Sequence, residues 1–182
     1  LIHSSVIIIA IAVFGFILLK FASKNNSKKA VKQIMGSKTN TIKALNELGR
    51  FLNQFSSESI SKNDTVLYND LFFDGFQHQI KLSKEHNGWF SQTNLFFAIE
   101  NWSSLLNTDS LNKWTSNYNF ENTTQKKVAI IMAGNIPLVG FHDFLCALIC
   151  GHKIIVKQSS NDKHLLPFLV HSRASKIRES RL

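Results

Sequence analysis

The sequence predicts an α/β fold in which a helical region precedes a strand–helix–strand–helix (βαβα) unit. Two short apolar runs rich in β-branched residues, Val128–Met132 and Lys153–Lys157, are typical of strands buried on both faces of a parallel sheet. The segment between them, Leu138–Cys150, has apolar residues at helical spacing and is followed by Gly151, the residue type favoured after a helix C-terminus. Such an order implies parallel strands joined by a right-handed crossover.

The stretch 38–120 predicts a helical region of four helices. Apolar and aromatic residues recur three and four positions apart within it, as on the buried face of an amphipathic helix. Asn87-Gly88 is expected to end the second helix. The aromatic residues are interpreted as core packing. The residues expected to cap the N-termini of the last three helices are Asp64, either Ser91 or Thr93, and Asp109.

The formal charge of +9 is concentrated at the two ends of the chain. Residues 1–43 carry seven lysines and no acid, residues 171–182 carry a net charge of +3, and residues 44–170 sum to −1. A nucleic-acid-binding domain would place its basic patch within the fold. We therefore expect no nucleic-acid partner.

The N-terminal segment, residues 1–34, leaves two interpretations open. Val6–Leu19 is an uninterrupted apolar run of 14 residues with lysines after it. It predicts either a membrane anchor whose basic side is cytoplasmic or a non-native extension upstream of Met35, the first methionine. A signal peptide fits poorly, because its charges would precede the apolar run. The expected location is cytoplasmic, with membrane association if the segment is native.

Cys146 and Cys150 are the two cysteines of the chain, and they lie in one apolar run. They have no His or Cys partners at zinc-binding spacing, so we predict no metal site. Free, buried thiols in a reducing compartment are the expected state. A thiol in such a run favours packing, since burial raises rather than lowers its pKa.

The loops that follow the two strands are the candidate binding site. Ligands of parallel sheets sit beyond the carboxyl ends of the strands, where Gly134–Pro137 and Gln158–Asp162 are predicted to lie. Gly134 allows close approach, Asn135 offers an amide, and Lys157 with the hydroxyls after it suits ribose or phosphate oxygens. The second loop is also expected to cap a helix over Lys163–Leu169. Neither common phosphate-binding glycine motif is present, so the residues leave open a purely structural role for this loop pair.

Longer motifs around these loops resemble the LuxC-type acyl-CoA reductases. The similar segments together cover about Thr41 to Val170, and Asn87-Gly88-Trp89-Phe90 resembles the family's Asn-Pro-Trp-Phe with glycine in place of proline. The other matching segments are Met132–Leu145 (MAGNIPLVGFHDFL), Gly151-His152-Lys153 and Lys157–Pro167 (KQSSNDKHLLP). The resemblance implies an aldehyde dehydrogenase-like Rossmann domain, of which residues 126–170 would be the first βαβα, cut short.

The same resemblance implies roles for individual residues. Asn135 would donate its amide to the oxyanion of a thiohemiacetal, the kind of stabilisation such intermediates need. Lys157 would bind the adenosine ribose. Ser160 replaces a glutamate of NAD-preferring relatives, which removes repulsion against a 2′-phosphate and favours NADPH. The residues expected to bind the cofactor are Gly134, Pro137, Lys157, Ser159 and Ser160.

The implied reaction reduces a long-chain acyl-CoA to a fatty aldehyde through a cysteine acyl-enzyme. The family's nucleophilic cysteine lies further downstream, so we expect this chain to be a fragment that lacks it and is inactive alone. The basic tail 171–182 does not continue the resemblance. The full-length enzyme is expected to be oligomeric. The alternative is a membrane-anchored, non-catalytic interaction protein that retains part of a nucleotide-binding fold.

Overall fold

The computed structural model describes residues 38–57, 60–120 and 124–171, and it confirms the α/β class. The predictions for the segment 1–34 and for the tail after residue 171 fall outside these ranges. Among the helices in them, none is long and apolar enough to cross a membrane. The elements in chain order are α1 (Lys38–Asn53), α2 (Asn69–His86), α3 (Gln92–Leu105), α4 (Thr108–Thr115), β1 (Lys127–Ile131), α5 (Phe141–Ile149), β2 (Lys153–Lys157) and α6 (Leu165–His171).

An aromatic cluster forms the centre of the helical region. The rings of Phe51 on α1 and of Phe55, which follows α1, lie 5.6 Å and 5.0 Å, centroid to centroid, from the ring of Phe76 on α2. Phe168 of α6 extends the cluster, with its ring 5.7 Å from that of Phe76. Tilted and edge-on rings at these spacings add to the stabilisation from burial alone. The cluster therefore joins the helical region to the last helix of the βαβα unit.

The N-termini of two helices differ from the predicted ones. Helix α2 begins at Asn69, five residues after Asp64. The preceding residue, Tyr68, has a left-handed backbone (φ 66°) and so cannot belong to a right-handed helix. Helix α4 is capped by Asn107, whose side chain accepts a hydrogen bond from the Ser110 amide, and not by Asp109. The prediction for α3 is confirmed, because Ser91 accepts a hydrogen bond from the Asn94 amide.

The two strands pair in parallel, with Ile131 opposite Lys157 at their carboxyl ends. The expectation that both faces of the sheet are buried is wrong. Ile130, Ile154 and Val156 lie in the core beside α5. Ile131 is 78% exposed and Ile155 38% exposed, because the described helices cover one face. A run of consecutive apolar residues does not show which face will be covered.

Helix α5 starts at Phe141, three residues later than predicted. Leu138 has a left-handed backbone (φ 59°), so the chain turns there before it becomes helical. The turn is closed by a hydrogen bond from the Phe141 amide to the Leu138 carbonyl, 3.0 Å long. At the other end of α5, Gly151 (φ 72°) confirms the predicted C-terminal glycine.

Candidate functional site

The loops that follow β1 and β2 meet at one edge of the sheet, as the sequence predicts. The Met132 amide donates a 3.0 Å hydrogen bond to the Lys157 carbonyl, which extends the strand ladder by one residue. Beyond that bond the chain diverges into loop A, residues 132–140, and loop B, residues 158–164. The candidate site lies at this edge because both loops leave the sheet in the same direction.

Gly134 is where loop A comes closest to loop B. A Cβ atom at this position would lie 2.2 Å from Ser159 Oγ, 2.7 Å from Ser159 Cβ and 3.0 Å from Asn161 Cβ. These distances are shorter than a carbon atom can accept without movement of its neighbours. The absence of a side chain at Gly134 is therefore used for contact between the two loops.

Asp162 links loop B to loop A through a buried carboxylate. Its Oδ2 accepts a 2.9 Å hydrogen bond from the Leu138 amide, the residue with the left-handed backbone. Its Oδ1 is buried without a partner among the described residues. Burial raises the pKa of Asp162, and the bond from the Leu138 amide partly opposes that rise. The carboxylate thus stabilises the turn of loop A rather than capping the helix that follows loop B.

Asn87, which follows α2, contacts both loops. Its Nδ2 donates hydrogen bonds to the carbonyl of Gly134 at 3.3 Å and to the carbonyl of Asn161 at 3.0 Å. Its Oδ1 accepts a 3.0 Å bond from the Trp89 amide. Two carbonyl acceptors on one side and an N–H donor on the other determine which end of the amide is nitrogen. Through this side chain, the helical region holds loops A and B together.

The six predicted site residues divide by exposure. Gly134 and Pro137 are buried and Ser159 is partly buried, and each contributes to the structure of its loop. Asn135, Lys157 and Ser160 are exposed at the sheet edge. The Asn135 amide makes no hydrogen bond to another described residue, so it is free to meet a ligand. The structure therefore brings the six residues to one edge, with three of them accessible.

His164, at the end of loop B, packs against the helical region. Its ring centroid lies 4.7 Å from that of His86, the last residue of α2, and its Nε2 is buried without a partner in the described residues. Burial lowers the pKa of His164, and the nearby His86, Lys163 and His78 lower it further. The neutral imidazole is therefore favoured at this contact.

The two cysteines lie away from the strand-end loops. Helix α5 runs back toward the amino ends of the strands. Cys150 follows the helix and therefore lies near those amino ends, whereas Asn135 lies beyond the carboxyl ends. Burial raises the pKa of Cys146, and the neighbouring Asp143 and Cys150 raise it further. An open cavity of about 480 Å³ beside β1 is lined by both cysteines and by none of the six predicted site residues. Among the described residues, no group of three or more His, Cys, Asp or Glu could hold a metal ion.

Sequence reasoning missed the functions of Asn87 and Asp162 in the site. Asn87 was expected only to end a helix, and Asp162 only to belong to a capping loop. Their partners are 47 and 74 residues away for Asn87 and 24 residues away for Asp162. The one available signal was the presence of both residues within the motifs that carry the family resemblance.

The model of the acyl-CoA reductase (LuxC) family matches residues 37–179 of the chain. This range includes every described helix and strand, together with Asn87 and both strand-end loops. No curated protein and no solved structure was found to match the chain. The family match confirms the resemblance carried by the motifs. It also extends past Val170 to residue 179, so the expectation that the tail does not continue the resemblance is wrong for residues 171–179.

Proposed function

The chain belongs to the acyl-CoA reductase (LuxC) family, and we propose that it contributes the cofactor-binding and oxyanion-stabilising part of an NADPH-dependent reduction of long-chain acyl-CoA to fatty aldehyde. The reaction class follows from the family. The finer elements of the proposal are the cofactor, the acyl chain and the role of each residue.

The observation that carries the proposal is the joint position of Asn135, Lys157 and Ser160. All three are exposed at the carboxyl edge of the parallel sheet, where loops A and B lie in contact. A free amide, a cation and a hydroxyl at such an edge suit an anionic, hydrogen-bonding ligand. No carboxylate of loops A and B is exposed there, since Asp162 is buried.

A nicotinamide cofactor fits the residues present, and when bound it would supply the hydride. Lys157 lies at the end of β2 on the uncovered face of the sheet, where it can donate to ribose or phosphate oxygens. Ser160 follows in loop B as an exposed hydroxyl. A cation without a facing carboxylate accommodates a 2′-phosphate, and NADPH is therefore the proposed form.

Asn135 would hold the substrate's carbonyl oxygen as negative charge develops on it. Its amide can donate toward an oxyanion, and one such donor is commonly worth about 10²- to 10³-fold in kcat. The thiolate that forms the acyl-enzyme must be a group other than Cys146 or Cys150. Cys146 lies on α5 and Cys150 follows it, both away from the strand-end loops, and the raised pKa of Cys146 disfavours its thiolate.

The test is NADPH oxidation driven by long-chain acyl-CoA, measured with the enzyme expressed from its complete coding region. We expect oxidation with acyl-CoA present and none with free fatty acid. Asn135→Ala should lower kcat about 10²- to 10³-fold. Ser160→Glu should shift cofactor preference toward NADH. Ser116→Glu is the control, because Ser116 is an exposed serine outside loops A and B. Equal activity of Asn135→Ala and wild type would refute the assignment of Asn135.

A further inference from the structure

The Asn87-Gly88-Trp89-Phe90 turn belongs to the helical region, yet its first side chain ends between the two loops of the site. We propose that Asn87 is a positioning residue that sets the distance between loops A and B and thereby aims the Asn135 amide. This inference rests on the proposed role of Asn135 and adds to it a residue outside the strand-end loops.

The contacts of Asn87 account for such a role. The Gly134 carbonyl that it binds belongs to the residue immediately before Asn135, so the peptide leading into Asn135 is fixed in orientation. The Asn161 carbonyl that it binds belongs to loop B, between Ser160 and Asp162. One planar amide therefore bridges the two loops, and a planar group cannot lengthen or bend to follow them if they separate.

The turn that carries Asn87 is itself held firmly. The Phe90 amide donates a 2.9 Å bond to the Asn87 carbonyl, and the Phe90 side chain is 1% exposed. Asn94 of α3 donates a 3.0 Å bond from Nδ2 to the Trp89 carbonyl. The backbone of the turn is therefore held by the core and by α3. Because Asn87 belongs to this turn, its side chain fixes the two loops relative to the helical region.

Loss of this bridge should affect the transition state more than substrate binding. Loop A would keep the Leu138–Asp162 bond at its far end but lose the bond next to Asn135. A displacement of a catalytic donor by about 1 Å can lower the rate about 10²-fold. Asn87→Ala is therefore expected to lower kcat about 10- to 100-fold while the KM for acyl-CoA changes less than about threefold.

The decisive experiment is a double-mutant cycle in the complete enzyme between Asn87→Ala and Asn135→Ala. If Asn87 acts through Asn135, then Asn87→Ala lowers kcat in the wild type but has little further effect in the Asn135→Ala background. Asn101→Ala is the matched control, because Asn101 is an exposed asparagine whose Nδ2, among the described residues, bonds only to the Phe97 carbonyl of its own helix. It should leave kcat unchanged.

A second measurement does not depend on activity. Hydrogen exchange in Asn87→Ala should become faster in peptides covering residues 132–139 and 158–163 and stay unchanged in α1. If the enzyme does not reduce acyl-CoA, the proposed function fails, but faster loop exchange still supports the bridge itself. If Asn87→Ala does not fold, Asn87→Asp takes its place, because it keeps the acceptor for Trp89 and sets a carboxylate oxygen against two carbonyls. Unchanged kcat, strictly multiplicative effects in the cycle or unchanged loop exchange would each overturn the proposal.

Discussion

Replacing Gly134 by alanine tests the contact between loops A and B directly. The added Cβ would lie 2.2 Å from Ser159 Oγ and 2.7 Å from Ser159 Cβ. Loop B must therefore move, and overpacking of this kind destabilises by about 1–3 kcal/mol. For a chain of this size, that corresponds to a fall in melting temperature of roughly 2–12 °C. Thermal unfolding followed by circular dichroism measures it.

The chain offers both a control and a rescue for this change. Gly88 has open space where its Cβ would be, so Gly88→Ala should be neutral or slightly stabilising. Ser159→Gly removes the two nearest clashing atoms and leaves the Asn161 Cβ at 3.0 Å as the closest one. In the Gly134→Ala background it should restore at least half of the lost stability. In the wild type it should destabilise slightly, because the bond from the Asn161 amide to Ser159 Oγ is lost.

The coupling energy between the two substitutions is the quantity that decides. A direct contact predicts about 1–2 kcal/mol of coupling in favour of the double variant, within the range measured for touching residues. If Gly134→Ala is as stable as Gly88→Ala, or if Ser159→Gly adds its own cost without rescue, then the two loops do not meet at Gly134 and the reasoning is refuted.

Three further predictions concern the turn, the core and the buried acid. Gly88→Pro should raise stability by about 0.4–1 kcal/mol, because Asn87 (φ −136°, ψ 108°) already has a backbone compatible with a following proline; a lower melting temperature would contradict this. Phe76→Ala should destabilise by about 3–5 kcal/mol in chemical denaturation, whereas Phe97→Ala, at a side chain 67% exposed, should change stability little; similar losses in both would contradict the placement of the core. Since burial raises the pKa of Asp162, its stabilising contribution is full below its unfolded-state pKa and is lost as pH rises through the folded one. Asp162→Asn should therefore gain stability relative to wild type as the pH rises above about 4, the pKa of an unperturbed aspartate, and a difference that is constant with pH would contradict the raised pKa.

The sequence was sufficient to predict the strands and a helix end where one residue type determines the local backbone conformation. The β-branched runs located both strands to within a residue, and Gly151 marked the end of α5 because its backbone is left-handed. The sequence did not predict the start of a helix where a residue other than glycine adopts a left-handed backbone. Tyr68 and Leu138 have positive φ without being glycine, and both delayed the start of a helix. Tertiary contacts stabilise such conformations, and local propensity does not reveal them.

The candidate site likewise has features that the sequence predicts and features that it does not. That the loops after β1 and β2 share an edge follows from parallel pairing, which short apolar runs predict. The sequence does not predict that Gly134 packs on Ser159 instead of facing open space, because a glycine serves either purpose equally well. The burial of Asp162 is equally hidden in the sequence, since an acid in a polar loop is usually solvated.

The three contacts that the sequence did not predict all act on the segment that carries Asn135. Asn87 holds the carbonyl just before it, and Asp162 holds the amide three residues after it. The contact of Gly134 with Ser159 sets the spacing between the loops. Asn135 itself remains exposed. The contacts on both sides of Asn135 hold its backbone in place, which is one part of the preorganisation that stabilisation of a developing charge requires. Under the proposed role of Asn135, the helical region acts on the site through Asn87, and variants at Asn87 should change kcat without any contact with substrate.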